Sequence, residues 1–217
     1  MKPAPPVTIA RKGSYPRPAV FVTFEGLDGS GKSTQARLLA EALAAEGRDV
    51  VATREPGGTE VGELIRELLL GPRNVAPWAE AALFAAARGQ LVEEVIAPAL
   101  ARGADVVCDR YIDSSLAYQG IARGLGVDRV LELNVNAISG ILPDRTYLLV
   151  VDAEEAARRR GDPGDRIERE EDGFRQRVAE AYQELAAAFP QRIVTIDGTR
   201  PAGEIGREVL DELRQHS

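Results

Sequence analysis

Five short apolar runs alternate with stretches of helical spacing. Residues 20–24, Val-Phe-Val-Thr-Phe, are rich in β-formers and end in a glycine-rich turn, which predicts a buried strand. Ala36, Leu39, Ala40 and Leu43 then recur at i, i+3, i+4 and i+7, the stripe of a helix, and Gly47 closes it. Residues 50–53 predict a second strand, followed by a loop through Pro56-Gly57-Gly58 and a helix marked by Val61, Leu64, Ile65, Leu68 and Leu69. A third helix is predicted from about Trp78 to Leu100, with Pro98 straining or ending its last turn. Further strands are predicted at 105–109, 146–151 and 193–196, with helices between them. Five strands alternating with helices predict an α/β fold, a parallel sheet covered on both faces. Ligands of such sheets gather beyond the carboxyl ends of the strands.

The pattern starts at Ala19. Before it stand Pro3, Pro5, Pro6, Pro16 and Pro18 among polar residues, without the apolar core of a secretory signal. Residues 1–18 therefore read as a flexible leader and 19–217 as one domain. No run approaches the ~20 apolar residues of a membrane helix, and the expected compartment is the cytoplasm. The net charge of -7 argues against broad, unspecific nucleic-acid binding, which needs a basic face. The single cysteine, Cys108, lies in an apolar run and reads as a small buried hydrophobe. His216, the single histidine, adjoins the C-terminus, so neither an interior histidine base nor a His/Cys zinc cage is available.

Residues Gly26-Leu27-Asp28-Gly29-Ser30-Gly31-Lys32-Ser33 satisfy G-x-x-x-x-G-K-S, with a strand before them and an amphipathic helix after. Glycines let successive backbone N–H groups turn inward around phosphates, and the helix points its positive end at them. Lys32 is expected to reach the outer phosphates, the Ser33 hydroxyl to hold magnesium, and Thr34 to extend the nucleotide site. The pattern says only that a nucleoside triphosphate is bound. Two strand ends offer the metal a carboxylate, Asp109 and Asp152. Asp152 precedes an Ala-Glu helix start and reads as an N-cap, so Asp109 is the expected partner of Ser33.

The arginines point to the chemistry. A phosphate acceptor is already largely ionised near neutral pH, its second pKa lying near ~6, so no side chain need remove a proton. What such a transfer needs is paired cations to bring two anions together, and guanidinium groups suit that. Arg54, Arg110 and the group Arg158, Arg159, Arg160, Arg166 and Arg169 are the candidates. The last group sits on a segment broken by Gly161, Pro163 and Gly164, which reads as a closing lid over about 158–172.

Three further motifs remain: Arg54-Glu55-Pro56-Gly57-Gly58-Thr59, Phe84 to Arg88, and the run from Asp109 to Gly120, DRYIDSSLAYQG. With the glycine loop and Asp165-Arg166-Ile167-Glu168, the chain resembles the bacterial thymidylate kinases from Val20 to Leu213. The resemblance implies a P-loop, five-stranded parallel sheet of the nucleoside monophosphate kinase kind. It also implies transfer of the γ-phosphoryl group of ATP to dTMP, with Mg2+, on the way to dTTP, by a homodimer. Phe84 would stack on thymine, Arg88 donate to its exocyclic oxygen, Gln119 face the base edge and Tyr118 lie against the sugar. Arg54, Arg110, Ser115 and Asp28 would meet the acceptor. Because Gly29 occupies a loop position where some relatives carry arginine, Arg160 or Arg166 would supply the catalytic guanidinium from the lid, beside Lys32 and Arg110.

A regulatory GTPase would read guanine through an Asn/Thr-Lys-x-Asp motif, and no lysine follows Lys32. A kinase for another nucleoside monophosphate, or for a deoxynucleoside with Asp28 or Glu55 as base, stays open at this level. So does a nucleotide-binding scaffold without catalysis.

Overall fold

A computed structural model describes residues 18–161, 165–167, 169–170 and 172–216. The predicted leader, apart from Pro18, and residues 162–164, 168 and 171 of the predicted lid lie outside them.

The chain runs β1 (Phe21–Glu25), α1 (Lys32–Ala45), β2 (Val50–Arg54), α2 (Glu60–Leu70), α3 (Pro77–Leu91) and α4 (Ala97–Ala101), then β3 (Asp105–Asp109). It continues through α5 (Ile112–Ser115), α6 (Val127–Ala137), β4 (Arg145–Val150), α7 (Ala153–Arg160), α8 (Asp172–Ala188), β5 (Ile193–Asp197) and α9 (Ala202–His216). The five strands form one parallel sheet in the order β2-β3-β1-β4-β5. All five predicted strands are present, each within a residue of its expected bounds.

Alternate residues of the central strands enter opposite cores, as the period of two demands. Phe21, Val106, Cys108 and Leu148 pack under α8 and the α3–α6 layer, with Val92, Ile96, Phe174 and Val178. Val22, Phe24, Val107, Tyr147 and Leu149 face α1 and α9, against Leu39, Leu43, Val209 and Leu213. Both faces being covered, the strands read as continuous apolar runs.

Two expectations are modified. The helix predicted to strain or end at Pro98 passes it instead: a π-helical turn, Val92–Ile96, separates α3 from α4 and puts Pro98 in a first turn. Pro98 has no N–H to give the helix, and the π-turn before it takes up the distortion. The apolar stripe of α2 is a helix as predicted, but only part of it faces inward. Leu69 is fully buried, whereas Val61 (43%), Leu64 (58%) and Leu68 (43%) remain exposed. Asp152 caps α7, accepting a hydrogen bond from Glu155 N at 2.7 Å, as its position implied. Among the described residues no helix is long and apolar enough to cross a membrane.

Parallel pairing sets three strand ends level. Arg54 stands opposite Asp109, and Asp109 opposite Phe24. The groups that the sequence scatters over 85 positions therefore meet on one edge of the sheet.

Candidate active site

The glycine loop leaves β1, the central strand, and enters α1 through Gly31, whose φ of 100° leaves the helix start without a side-chain cap. The loop excludes side chains at two places. At Gly26 (φ 135°) a Cβ would lie 2.5 Å from the Leu149 carbonyl oxygen. At Gly29 (φ 91°) it would overlap the Ala156 carbonyl oxygen of α7. Within the loop Leu27 is buried, and so is Ser30, whose hydroxyl finds no partner. Lys32 is also buried, its Nζ donating to the Leu27 carbonyl at 2.9 Å and standing 3.5 Å from Asp28. Burial and the neighbouring Arg110 lower the lysine pKa. Thr34 is exposed on the first turn of α1.

Arg110 sits at φ 71°, a left-handed conformation that costs a non-glycine residue about 1–3 kcal/mol. That turn aims its guanidinium across the loop, with Nη2 donating to Asp28 at 2.6 Å and Nη1 to Ser114 Oγ at 3.0 Å and Tyr182 Oη at 3.1 Å. Burial opposes ionisation of Asp28, but Arg110 and Lys32 outweigh it and hold the carboxyl well below its usual range. Beneath lies Glu25, fully buried. It accepts from Tyr111 N (2.7 Å), Ser114 Oγ (2.6 Å) and Tyr182 Oη (2.8 Å), and so fixes the turn that carries Arg110. Burial and the nearby Asp113 raise its pKa.

Asp109 accepts a hydrogen bond from Ser33 Oγ through Oδ2, while its buried Oδ1 has no partner. A hydroxyl and a carboxylate with an idle oxygen, beside a phosphate loop, is a donor set suited to Mg2+, which takes few protein ligands and completes its shell with phosphate oxygens and water.

A cavity of about 220 Å³ opens beside the loop. Asp28, Lys32, Ser33, Asp109 and Arg110 line it together with Arg54, Phe84, Ser115, Tyr118 and Gln119. Arg54, 55% exposed, is held loosely by Glu63 at 3.1 Å. Tyr118 lies under Arg110, whose guanidinium carbon is 5.6 Å from the ring centre. Tyr118 and Gln119 belong to a π-helical stretch, Leu116–Ala122, a distortion common at functional sites.

Arg88 stands apart from the expected grouping, being 1% exposed and absent from the cavity wall. Its guanidinium reaches Glu55 (2.6 and 2.8 Å), Ser115 Oγ (3.0 Å), the Tyr111 carbonyl (2.9 Å) and Asn134 Oδ1. It thus braces two wall residues, Glu55 and Ser115. Because Ser115 accepts from Arg88, its own O–H is left to donate. Desolvation pushes the Glu55 carboxyl up to about 7 although Arg88 pulls it down.

The lid arginines divide. Arg158 is exposed and paired with Glu155, a solvated ion pair. Arg160 lines a small cleft with Leu27, Asp28 and Tyr118, and its buried Nε has no partner. Arg166 points the other way, donating to Glu80 at 2.5 Å and to the Leu69 carbonyl at 3.1 Å. Sequence reasoning missed Glu25, Glu80, Asn134 and Tyr182 as supports of the site. A glutamate closing a buried strand was the one visible sign, at Glu25; the others show only when the helices are packed.

A glycine loop at the end of the central strand, a serine–aspartate pair, and an adjoining cavity walled by arginines and an aromatic ring define a P-loop phosphotransferase of the nucleoside monophosphate kinase type. Comparison with known proteins narrows the class. The thymidylate kinase family model matches residues 24–209. The thymidylate kinase of Pelotomaculum thermopropionicum is 50% identical over 195 residues, covering 88% of this chain and 90% of that protein. That of Leifsonia xyli subsp. xyli is 50% identical over 201 residues, covering 91% and 95%. The crystal structure of thymidylate kinase from Ehrlichia chaffeensis superposes with a TM-score of 0.75 at 34% identity, covering 91% of this chain and 99% of that one. The chain belongs to the thymidylate kinase family.

Proposed function

We propose that this chain transfers the γ-phosphoryl group of ATP to dTMP, giving dTDP and ADP, in the cytoplasm. The observation that carries the proposal is the shared cavity: one space is bounded both by the phosphate loop and by the Phe84–Tyr118–Gln119 wall.

ATP phosphates would take the loop amides and Lys32. Ser33 and Asp109 would hold Mg2+, which when bound neutralises charge on the triphosphate. The acceptor phosphate would meet Arg54, Arg110 and the free hydroxyl of Ser115. Asp28 engages Arg110 and Lys32, and incoming phosphates would compete with it for both cations. The base would lie on Phe84 with its edge at Gln119, and the sugar against Tyr118. No base is required, since the attacking oxygen belongs to an ionised phosphate. Arg160, at the end of α7 beside Asp28, is the better-placed lid arginine for charge on the transferred group.

The domain over 19–217, with its lid at about 158–172, is proposed to work as a homodimer. The exposed Val61, Leu64 and Leu68 on α2 support a helix-to-helix contact there. Leu64→Glu should convert a dimer to a monomer in analytical ultracentrifugation.

ADP release measured over a panel of nucleosides and monophosphates tests the activity. Turnover with dTMP and none with thymidine is the expected result. Turnover with thymidine but not dTMP would favour a deoxynucleoside kinase and refute the proposal.

A further inference from the structure

Behind the wall that holds Gln119 stands a carboxylate with no exposed surface, Glu80, in the first turn of α3. Four donated hydrogen bonds converge on it. Oε1 accepts from Gln119 Nε2 at 2.9 Å and Arg123 Nε at 3.0 Å; Oε2 accepts from Arg123 Nη2 at 3.1 Å and Arg166 Nη2 at 2.5 Å. Burial opposes its charge, but bonds from Arg123, Arg166 and Gln119 hold the pKa below the usual value. Glu80 is therefore an ionised acceptor.

An ionised carboxylate can only accept, so the side of the Gln119 amide turned to Glu80 must be its NH2. The carbonyl oxygen is turned away, and no described residue donates to it. Gln119 is itself 1% exposed and contributes to the cavity wall. Left alone, a primary amide rotates by half a turn at little cost and presents either a donor or an acceptor. Here one of the two faces is removed.

We infer that Glu80 is a positioning residue for base choice: it holds the Gln119 amide with its oxygen towards the acceptor cavity, so that the site takes a pyrimidine carrying N3–H and opposes one whose N3 is an acceptor. Thymine and uracil carry that proton and cytosine does not. A cytosine in the same pose would set two lone pairs against each other, leaving both unpaired in a closed site. The inference rests on the proposed placement of the base edge at Gln119. It also links base choice to the lid, because Arg166 and, through Arg123 (2.6 Å), Glu170 help to fix the same carboxylate.

The test is kcat/KM for dTMP and for dCMP with ATP, in the wild type, Glu80→Gln, Gln119→Ala and the double variant. In Glu80→Gln the new amide can either donate or accept, so Gln119 is free to turn. The dTMP/dCMP ratio should fall about tenfold or more, mostly through KM. That fall should disappear in the Gln119→Ala background, where no amide is left to orient. An unchanged ratio in Glu80→Gln, with the ratio lost in Gln119→Ala, would overturn the role of Glu80 and leave the base site standing. An unchanged ratio in Gln119→Ala would overturn both. Should Glu80→Gln not fold, Glu80→Asp keeps the charge for the arginines but withdraws it from Gln119. It should lower the ratio in the same direction, and an unaltered ratio there overturns the inference.

Discussion

Replacing Arg88 with methionine separates two accounts of the site. Methionine keeps the apolar stem of the side chain, so the change removes the guanidinium and little else. Structurally, it strips Glu55 of contacts at 2.6 and 2.8 Å and takes donors from Ser115, Asn134 and the Tyr111 carbonyl, all of them buried residues. Breaking a buried ion pair from one side typically costs about 3–5 kcal/mol, a large share of the ~5–15 kcal/mol that holds such a domain together. The cost should depend on pH, and the sign follows from Glu55. Its folded pKa, about 7, lies above its ordinary value of 4.5, so its contribution favours the native state fully below pH 4.5 and is lost as pH rises through 7. Without Arg88, whose charge lowers that pKa, the carboxyl would hold its proton to higher pH still. The variant then loses stability with pH further than the wild type does. Urea denaturation at pH 6 and pH 8 should accordingly show a larger deficit at pH 8. A deficit below about 1 kcal/mol at both, with only KM for dTMP raised, would mean that the guanidinium faces the base and that the brace is illusory.

Two further outcomes follow from the loop and the lid. Gly29→Ala sets a methyl group against the Ala156 carbonyl at a φ that disfavours any side chain, so α7 must move off the loop. A loss of at least about 1 kcal/mol and a drop in turnover are expected, and a wild-type melting temperature would count against that contact. Arg160→Ala should depress the single-turnover rate while leaving ATP binding near normal, whereas Arg166→Met should alter base preference more than the chemical step. The reverse assignment in stopped-flow measurements would exchange their roles.

Much of this was written in the chain. Periodicity sufficed for five strands because central parallel strands are apolar on both sides, and for α1 because its buried stripe is regular. The phosphate loop was legible because its chemistry depends on backbone, and only a fixed order of glycines permits that backbone. Asp152 could be read as a cap and Asp109 as the partner of Ser33 from their immediate neighbours alone.

What only the tertiary structure decided are the contacts between elements distant in sequence. Spacing put Phe84 and Arg88 on neighbouring turns of one helix, yet only packing shows Phe84 in the wall and Arg88 behind it, bound to Glu55 from another element. The lid arginines looked equivalent in a charged segment; Glu80, 86 positions away, draws Arg166 aside, while Arg160 stays by the loop. The α2 stripe could not reveal that half of it faces outward, since hydrophobicity marks a surface to be covered without saying by what. Local preference is encoded within a few residues, whereas the direction of a buried guanidinium depends on which carboxylate the completed fold brings within about 3 Å of it.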